Sequence, residues 1–192
     1  MDQRINQQID FILTLDKLKN IQRRSYLISG DRTENSAEHS WHIALMAMLL
    51  AEYSNEKFNL ERTIRMLLIH DIVEIEAGDT YCYDDVVDQE QREEEAALHL
   101  FNMLPDDQAA IMRDLWEDFE SGESPEARFA AAMDRLMPLL QSYYTQGKGW
   151  GESGIGKSQV IERNGPIVEG SNTLWNYAEN LIEDAVKRSW LK

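Results

Sequence analysis

The sequence predicts an all-α fold, a single-domain helical bundle spanning residues 1–192, and three observations carry that expectation. Apolar residues recur at spacings of three and four along most of the chain. Capping and stop signals fall at helix-length intervals, among them Asn59, Gly78, Gly122 and Ser124-Pro125. No stretch shows the strict apolar–polar alternation of a half-buried strand. Nor is there an internal repeat, or a linker long enough to divide domains.

The first helix is expected over 3–20. Ile5, Ile9, Ile12 and Asp16 form one stripe, with Phe11, Leu15 and Leu18 beside it. A polar stretch over 23–36 breaks the pattern around Ser29-Gly30-Asp31. Asn35 or Ser36 caps a second helix to about residue 53, carrying Ile43, Met46, Ala47 and Leu50. Asn59 caps a third over 60–77, stopped by Gly78. A short loop over 78–85 precedes a fourth helix that ends before Pro105. Residues 106–121 make the fifth, closed by Ser121-Gly122.

Ser124-Pro125, a cap followed by proline at the first helical position, starts a sixth helix to about residue 144. Five glycines in 146–157 predict a loop. A short helix over 158–163 ends at Gly165-Pro166, and a last one covers 172–189. The chemistry-bearing motifs fall within 24–140, and 146–192 supplies a C-terminal loop and helix.

Charge and cysteine content restrict the partners. With 35 acidic and 19 basic residues, the formal net charge is −16. That balance argues against a nucleic-acid polymer, whose phosphates are bound by clustered Lys and Arg, and against an anionic membrane surface. A small phosphorylated molecule would need a locally positive site, which a metal ion can supply. Cys82 is the one cysteine, which excludes an internal disulfide and a thiolate zinc cluster and fits a reducing compartment. No apolar run approaches the roughly 18 residues of a membrane span. The polar start Met1-Asp2-Gln3-Arg4 does not look like a signal peptide. The expected location is the cytoplasm.

The third helix is unusual. Met66, Leu67, Leu68, Ile69, Ile72, Val73 and Ile75 cover most of its circumference, so its second half should be buried. Yet it also carries His70, Asp71 and Glu74, with 70 and 74 on one face and 71 one step round. Three ionisable groups on a buried stripe are costly unless paired, protonated or bound to a cation. From this helix alone, a structural ion-pair network with arginines such as Arg65 or Arg135 and a functional site are both open.

Two further segments shift the balance toward a site. The second helix opens with Glu38-His39-Ser40-Trp41-His42. The sixth places Asp134 among alanines and methionines, with Pro138 four residues later removing the hydrogen bond to its carbonyl. Small alanines permit close helix approach, so Asp134 can face His39 and His70-Asp71 across a bundle core, as metal sites in bundles do.

His39, then His70-Asp71, then a distant Asp134 in an alanine-rich helix resembles the metal-dependent phosphohydrolase superfamily named for its His-Asp doublet, the HD-domain proteins. Arg32-Thr33-Glu34-Asn35-Ser36-Ala37-Glu38-His39-Ser40 and Ile69-His70-Asp71-Ile72-Val73-Glu74-Ile75-Glu76-Ala77-Gly78-Asp79 are similar to the branch of 5′-deoxynucleotidases. Ala127-Arg128-Phe129 and Asp134-Arg135-Leu136 extend the likeness over nearly the whole chain. The resemblance implies one divalent metal held by His39, His70, Asp71 and Asp134. Two imidazoles and two carboxylates suit Mn, Co, Fe, Ni, Zn or Mg. It implies Glu74 as the acid–base residue for an attacking water, Asp79 at the leaving-group oxygen, and Arg24 on the phosphate. Ser25, Asp79 and Thr80 would complete the substrate contacts. Where the branch can carry a bulky tryptophan after that arginine, this chain has Ser25-Tyr26, which implies room for a ribose 2′-hydroxyl.

His42 is expected as a supporting or surface residue, His99 as an ordinary helix residue, and Cys82 lacks a base that would make it a nucleophile. The Glu93-Glu94-Glu95 run reads as a solvated face. Met46, Met48, Met133 and Met137 read as core. A literal P-loop pattern over 151–158 is set aside, because no strand precedes it and the following helix breaks at Gly165-Pro166. The expected function is hydrolysis of the 5′-phosphate of a (deoxy)nucleoside monophosphate by metal-activated water, with a homodimer implied by analogy. The alternatives are another phosphomonoester or phosphodiester substrate, or a non-catalytic metal-containing regulator.

Overall fold

The computed structural model describes residues 2–79 and 88–192. Thr80 and Cys82 therefore lie outside the described residues. Helix α1, Gln3–Leu15, is capped by Asp2 and tightens into a 3₁₀ turn over Asp16–Asn20. Only Phe11 and Leu18 of its apolar residues are buried; Ile5, Ile9 and Ile12 face outward, about half exposed.

The polar break expected over 23–36 contains two short antiparallel strands, β1 (Gln22–Tyr26) and β2 (Thr33–Asn35). They pair Gln22 with Asn35 and Tyr26 with Thr33, with a register irregularity between. Neither strand has apolar alternation, which is why the sequence pattern does not mark them. Backbone pairing and packing against neighbouring helices hold them instead, since an isolated two-stranded hairpin is marginal in water. The fold class remains all-α.

Helix α2, Ser36–Leu50, starts at a capping box: the Asn35 side chain accepts from Glu38 N at 2.9 Å, and Glu38 Oε2 accepts from Asn35 N at 3.1 Å. Asn59 caps α3, Leu60–Ile69. The continuous helix expected over 60–77 is interrupted there. His70–Val73 is a 3₁₀ turn, and helical geometry resumes only in α4, Glu74–Ala77. The tighter winding carries His70 and Asp71 and hands over to α4 at Glu74. Gly78, at φ +81°, ends it in a conformation that favours glycine.

Then follow α5 (Gln89–Phe101), α6 (Asp106–Ser121) and α7 (Pro125–Tyr144), the last capped by Ser124 as expected. The chain closes with α8 (Lys148–Ser153), α9 (Lys157–Asn164), α10 (Ile167–Gly170) and α11 (Asn172–Lys187). Helix α8 corrects the expectation of a loop over 146–157 at residues 148–153, whereas 154–156 stay non-helical as expected. Glycine-rich sequence disfavours helix, but tertiary contacts override that here. Trp150 is buried in the core, Lys148 Nζ donates to Gly30 O at 2.8 Å, and Tyr26 Oη donates to Glu152 at 2.8 Å.

Two apolar clusters form the interior. One gathers α2, α7 and the C-terminal helices around Phe129, Met133, Leu136 and Ile182; the other joins α3, α5 and α6 around Met66, Leu100 and Phe101. Met48, expected in the core, is exposed on the outer face of α2, whereas Met46, Met133 and Met137 are buried. Helix α7 presents Ala127, Ala130 and Ala132 inward, all but fully buried. Against it α10 approaches so closely that a Cβ on Gly170 would stand 2.5 Å from Arg128 O and 2.9 Å from the Ala132 Cβ. Among the described residues no helix is long and apolar enough to cross a membrane.

Candidate metal centre

The capped start of α2, the 3₁₀ turn after α3 and the middle of α7 converge on one point. His39 Nδ1 lies 3.1 Å from Glu34 Oε1, and its Nε2 lies 3.0 Å from Asp134 Oδ1. Glu34 is itself buried and accepts from Gln141 Nε2 at 2.6 Å. A carboxylate can only accept, so His39 donates from Nδ1, which leaves Nε2 directed inward. His70 repeats the arrangement: Nδ1 lies 3.0 Å from Leu67 O, and a carbonyl likewise only accepts. Its buried Nε2 has no hydrogen-bond partner among the described residues, although it lies 2.9 Å from Asp71 Oδ1 and 3.8 Å from Asp134 Oδ1.

Donor atoms of His39, His70 and Asp71 lie within 4.8 Å of one another, close enough to share a metal ion. An orphaned imidazole nitrogen, a second one oriented by Glu34, and the adjoining carboxylates fit a divalent cation of intermediate hardness. Burial alone would lower His70, but Asp71 and Asp134 hold it up at about 10. Burial alone would likewise raise Asp71; His70 and Arg23 outweigh that and hold it at about 2. Asp134 also sits well below its ordinary value, since the His39 and His70 contacts exceed the effect of burial.

The cation standing among these carboxylates is Arg23, which sequence reasoning missed. Its Nη1 lies 2.9 Å from Asp71 Oδ2 and 3.8 Å from Glu74 Oε1. Asp79 and Asp134 lie 4.0 and 3.9 Å away, and Nε is 3.6 Å from Glu34. Side chains alternate along a strand, so its neighbour Arg24 is more exposed and, with Ser25, lines the cavity above the cluster. Without a visible β pattern, nothing in the sequence says which of the two arginines faces inward.

Glu74 is buried at the edge of the cluster and accepts from Ser36 Oγ at 2.5 Å. Burial first, and Asp71 second, push its carboxyl up to about 9. Burial also raises Asp79, with Arg23 pulling the other way. The cluster forms the floor of a cavity of about 390 Å³. Glu93 and Glu120, and also Arg135, Trp150 and Arg163, line the same cavity. Desolvation in the cavity, then Glu93, brings Glu120 to about 7.

Of the other histidine and arginine candidates, Arg135 lines the cavity and the rest lie elsewhere. His42 packs on the Trp41 ring, centroids 5.6 Å apart, and His99 meets Glu76 at 2.8 Å on the surface. Arg65 pairs with Glu61, and Arg135 donates to Ala131 O at 3.2 Å. The P-loop-like segment runs from the end of α8 through the turn at 154–156 into the start of α9.

A family model described as HD domain matches residues 15–175. The chain belongs to the HD-domain family. A crystal structure from Magnetospirillum magnetotacticum MS-1, described as a "Predicted metal-dependent phosphohydrolase", is 48% identical with a TM-score of 0.96, covering 99% of this chain and 96% of that one. The "5′-deoxynucleotidase HDDC2" of Xenopus laevis is 32% identical over 137 residues, 70% of this chain and 67% of the relative. Its human counterpart is 30% identical, and the match spans about two thirds of its length, 66%. The "5′-deoxynucleotidase hdd1" of Schizosaccharomyces pombe is 27% identical over 84% of this chain and 85% of its own. In this HD-domain chain the His39–His70–Asp71 group is the potential metal site.

Proposed function

We propose that this chain is a metal-dependent phosphohydrolase that removes the 5′-phosphate of nucleoside monophosphates. The observation that carries the proposal is the convergence of His39, His70, Asp71 and Asp134, from three separate segments, at a cavity that His70, Asp71, Asp134 and Glu74 line. His39 and His70 through Nε2, and Asp71 and Asp134 through one oxygen each, would hold the ion. When bound, a divalent ion there supplies a water of lowered pKa and neutralises charge on phosphorus. The relatives named as 5′-deoxynucleotidases support a nucleotide substrate.

The remaining steps belong to the chain's own residues. A bound cation would draw Glu74 back toward the ordinary carboxylate range, and as a carboxylate anchored by Ser36 it would receive the proton of the attacking water. Arg23 meets the phosphate oxygens from the floor, with Arg24 on the wall above. Asp79, at the mouth of the same cluster, serves the leaving 5′-oxygen, and Ser25 faces the sugar. Thr80 completes the proposed substrate contacts. A phosphate-release screen of nucleoside 5′-monophosphates against several divalent metals tests the proposal. Release should require added metal and cease with a chelator; no release from any nucleotide with any metal overturns it.

A reducing cytoplasmic setting is supported by the single cysteine. A homodimer is supported by the outward stripe Ile5, Ile9 and Ile12 on α1 and by Trp41, Met48 and Leu49 on α2. Light scattering should then return twice the chain mass.

A further inference from the structure

The two oxygens of Asp134 have different neighbours. Oδ1 points to the floor, 3.0 Å from His39 Nε2, 3.8 Å from His70 Nε2 and 3.9 Å from Arg23 Nη2. Oδ2 points the other way, 3.6 Å from Arg163 Nη2 in the last turn of α9. Arg163 also lines the cavity, and about a third of its side chain remains accessible. A guanidinium carries five donors in a rigid fork, and it is Nη2 that approaches Asp134. The backbone around it is well fixed: Val160 is fully buried, and Asn164 is buried with Nδ2 donating to Val160 O at 2.8 Å.

We propose that Arg163 bridges the metal centre and the substrate, holding Asp134 Oδ2 so that Oδ1 alone meets the cation, and offering its cavity-side donors to the substrate phosphate. The inference rests on the metal-dependent hydrolase reading above. It assigns a role to the segment after residue 146, whose glycine-rich start suggests only a loop. Toward Asp134 the arginine is a positioning residue: groups that orient a metal ligand from behind usually set metal affinity. Toward phosphate it is a third cation beside Arg23 and Arg24, lining the same cavity.

The test uses metal-free full-length protein carrying Arg163→Ala, Arg163→Gln or Arg163→Lys, each checked for native helix content and melting behaviour. Co²⁺ alone is titrated by calorimetry. Inhibition by inorganic phosphate and the separate kcat and KM for a nucleoside monophosphate are then measured on Co²⁺-saturated protein. Arg163→Ala and Arg163→Gln should weaken Co²⁺ binding roughly 10–100-fold, the usual range for loss of a group behind a ligand. Phosphate inhibition should weaken and KM rise by about tenfold, and Arg163→Lys should recover much of the Co²⁺ affinity but little of the phosphate affinity, since lysine keeps the charge without the fork. Folded Arg163→Gln protein with wild-type Co²⁺ affinity overturns the positioning role. Unchanged phosphate inhibition in that variant overturns the bridge. Because the Co²⁺ titration needs no nucleotide turnover, a failed nucleotidase assay leaves this result interpretable by itself.

Discussion

The floor and the C-terminal wall of the cavity are built on opposite terms. The floor is ionisable groups on buried backbone: His39 at the first turn of α2, His70 and Asp71 in the 3₁₀ turn, Asp134 on an alanine face of α7. The wall contributes Gly149, Trp150 and Arg163 from α8 and α9, short helices held by what they touch. Charge placed in an apolar helix is expensive, so wherever it stands it demands a partner or a function. A wall residue is placed by packing, which costs nothing visible in the sequence. The floor is therefore chemically committed, whereas the wall, Arg163 apart, defines shape and access.

That contrast can be broken experimentally, beginning at the floor. Asp134→Ala should abolish turnover and metal retention while far-ultraviolet circular dichroism stays helical; persistent activity after chelation would remove the metal mechanism altogether. Glu74→Gln keeps the shape of the side chain but loses the base. Metal should still bind, measured by calorimetry, while kcat falls by roughly 10²–10⁴-fold. Loss of metal instead would make Glu74 part of the ligand shell.

The wall should respond in stability before chemistry. Trp150→Ala removes a buried indole and should cost about 3–5 kcal/mol in chemical denaturation. Its Co²⁺ affinity should stay at the wild-type value, and a large loss of affinity would erase the distinction between floor and wall. The smallest effect concerns the sugar. Ser25 lines the cavity, while Tyr26 is drawn to α8 by Glu152 and by Lys148, 3.9 Å above its ring. With Tyr26 occupied there and the small Ser25 lining the cavity, a ribose hydroxyl should be accommodated, so kcat/KM for dAMP and AMP should agree within about tenfold. A hundredfold deoxy preference would mean that another residue excludes the hydroxyl, and Ser25→Trp should create such a preference.

How much of this was readable depends on which physical signal each part leaves. Helices with caps and apolar periodicity announce themselves, and Asn59, Ser124-Pro125 and Gly122 mark their boundaries. The histidines and aspartates of the floor are legible for the energetic reason given above. The β1–β2 pair is not, because Gln-Arg-Arg-Ser-Tyr has no alternation, and with it went the choice between Arg23 and Arg24. Glu34 was visible only as part of a motif; its role behind His39 requires knowing that the strand delivers it to the core. The stripe Ile5, Ile9 and Ile12 was correctly periodic but did not reveal which side would be covered, since periodicity reports a helix face and not its neighbour. Helix α8 escaped because its stability comes from Trp150, Lys148 and Glu152 finding distant partners, which local propensity cannot register.

The close crossing of α10 over α7 has a consequence for how this sequence can drift. Arg128 contributes its carbonyl and Ala132 its methyl to the spot where a Gly170 side chain would have to stand. A backbone oxygen cannot be mutated away, so position 170 has little freedom whatever happens around it. Ala132 lies two residues before Asp134, on the helix that brings that carboxylate to the floor. Any lineage that enlarges residue 132 must either keep glycine at 170 or push α7 outward and carry Asp134 with it. Substitution histories at 128–134 and at 167–170 should thus be entangled: a change tolerated in one segment will depend on the allele present in the other.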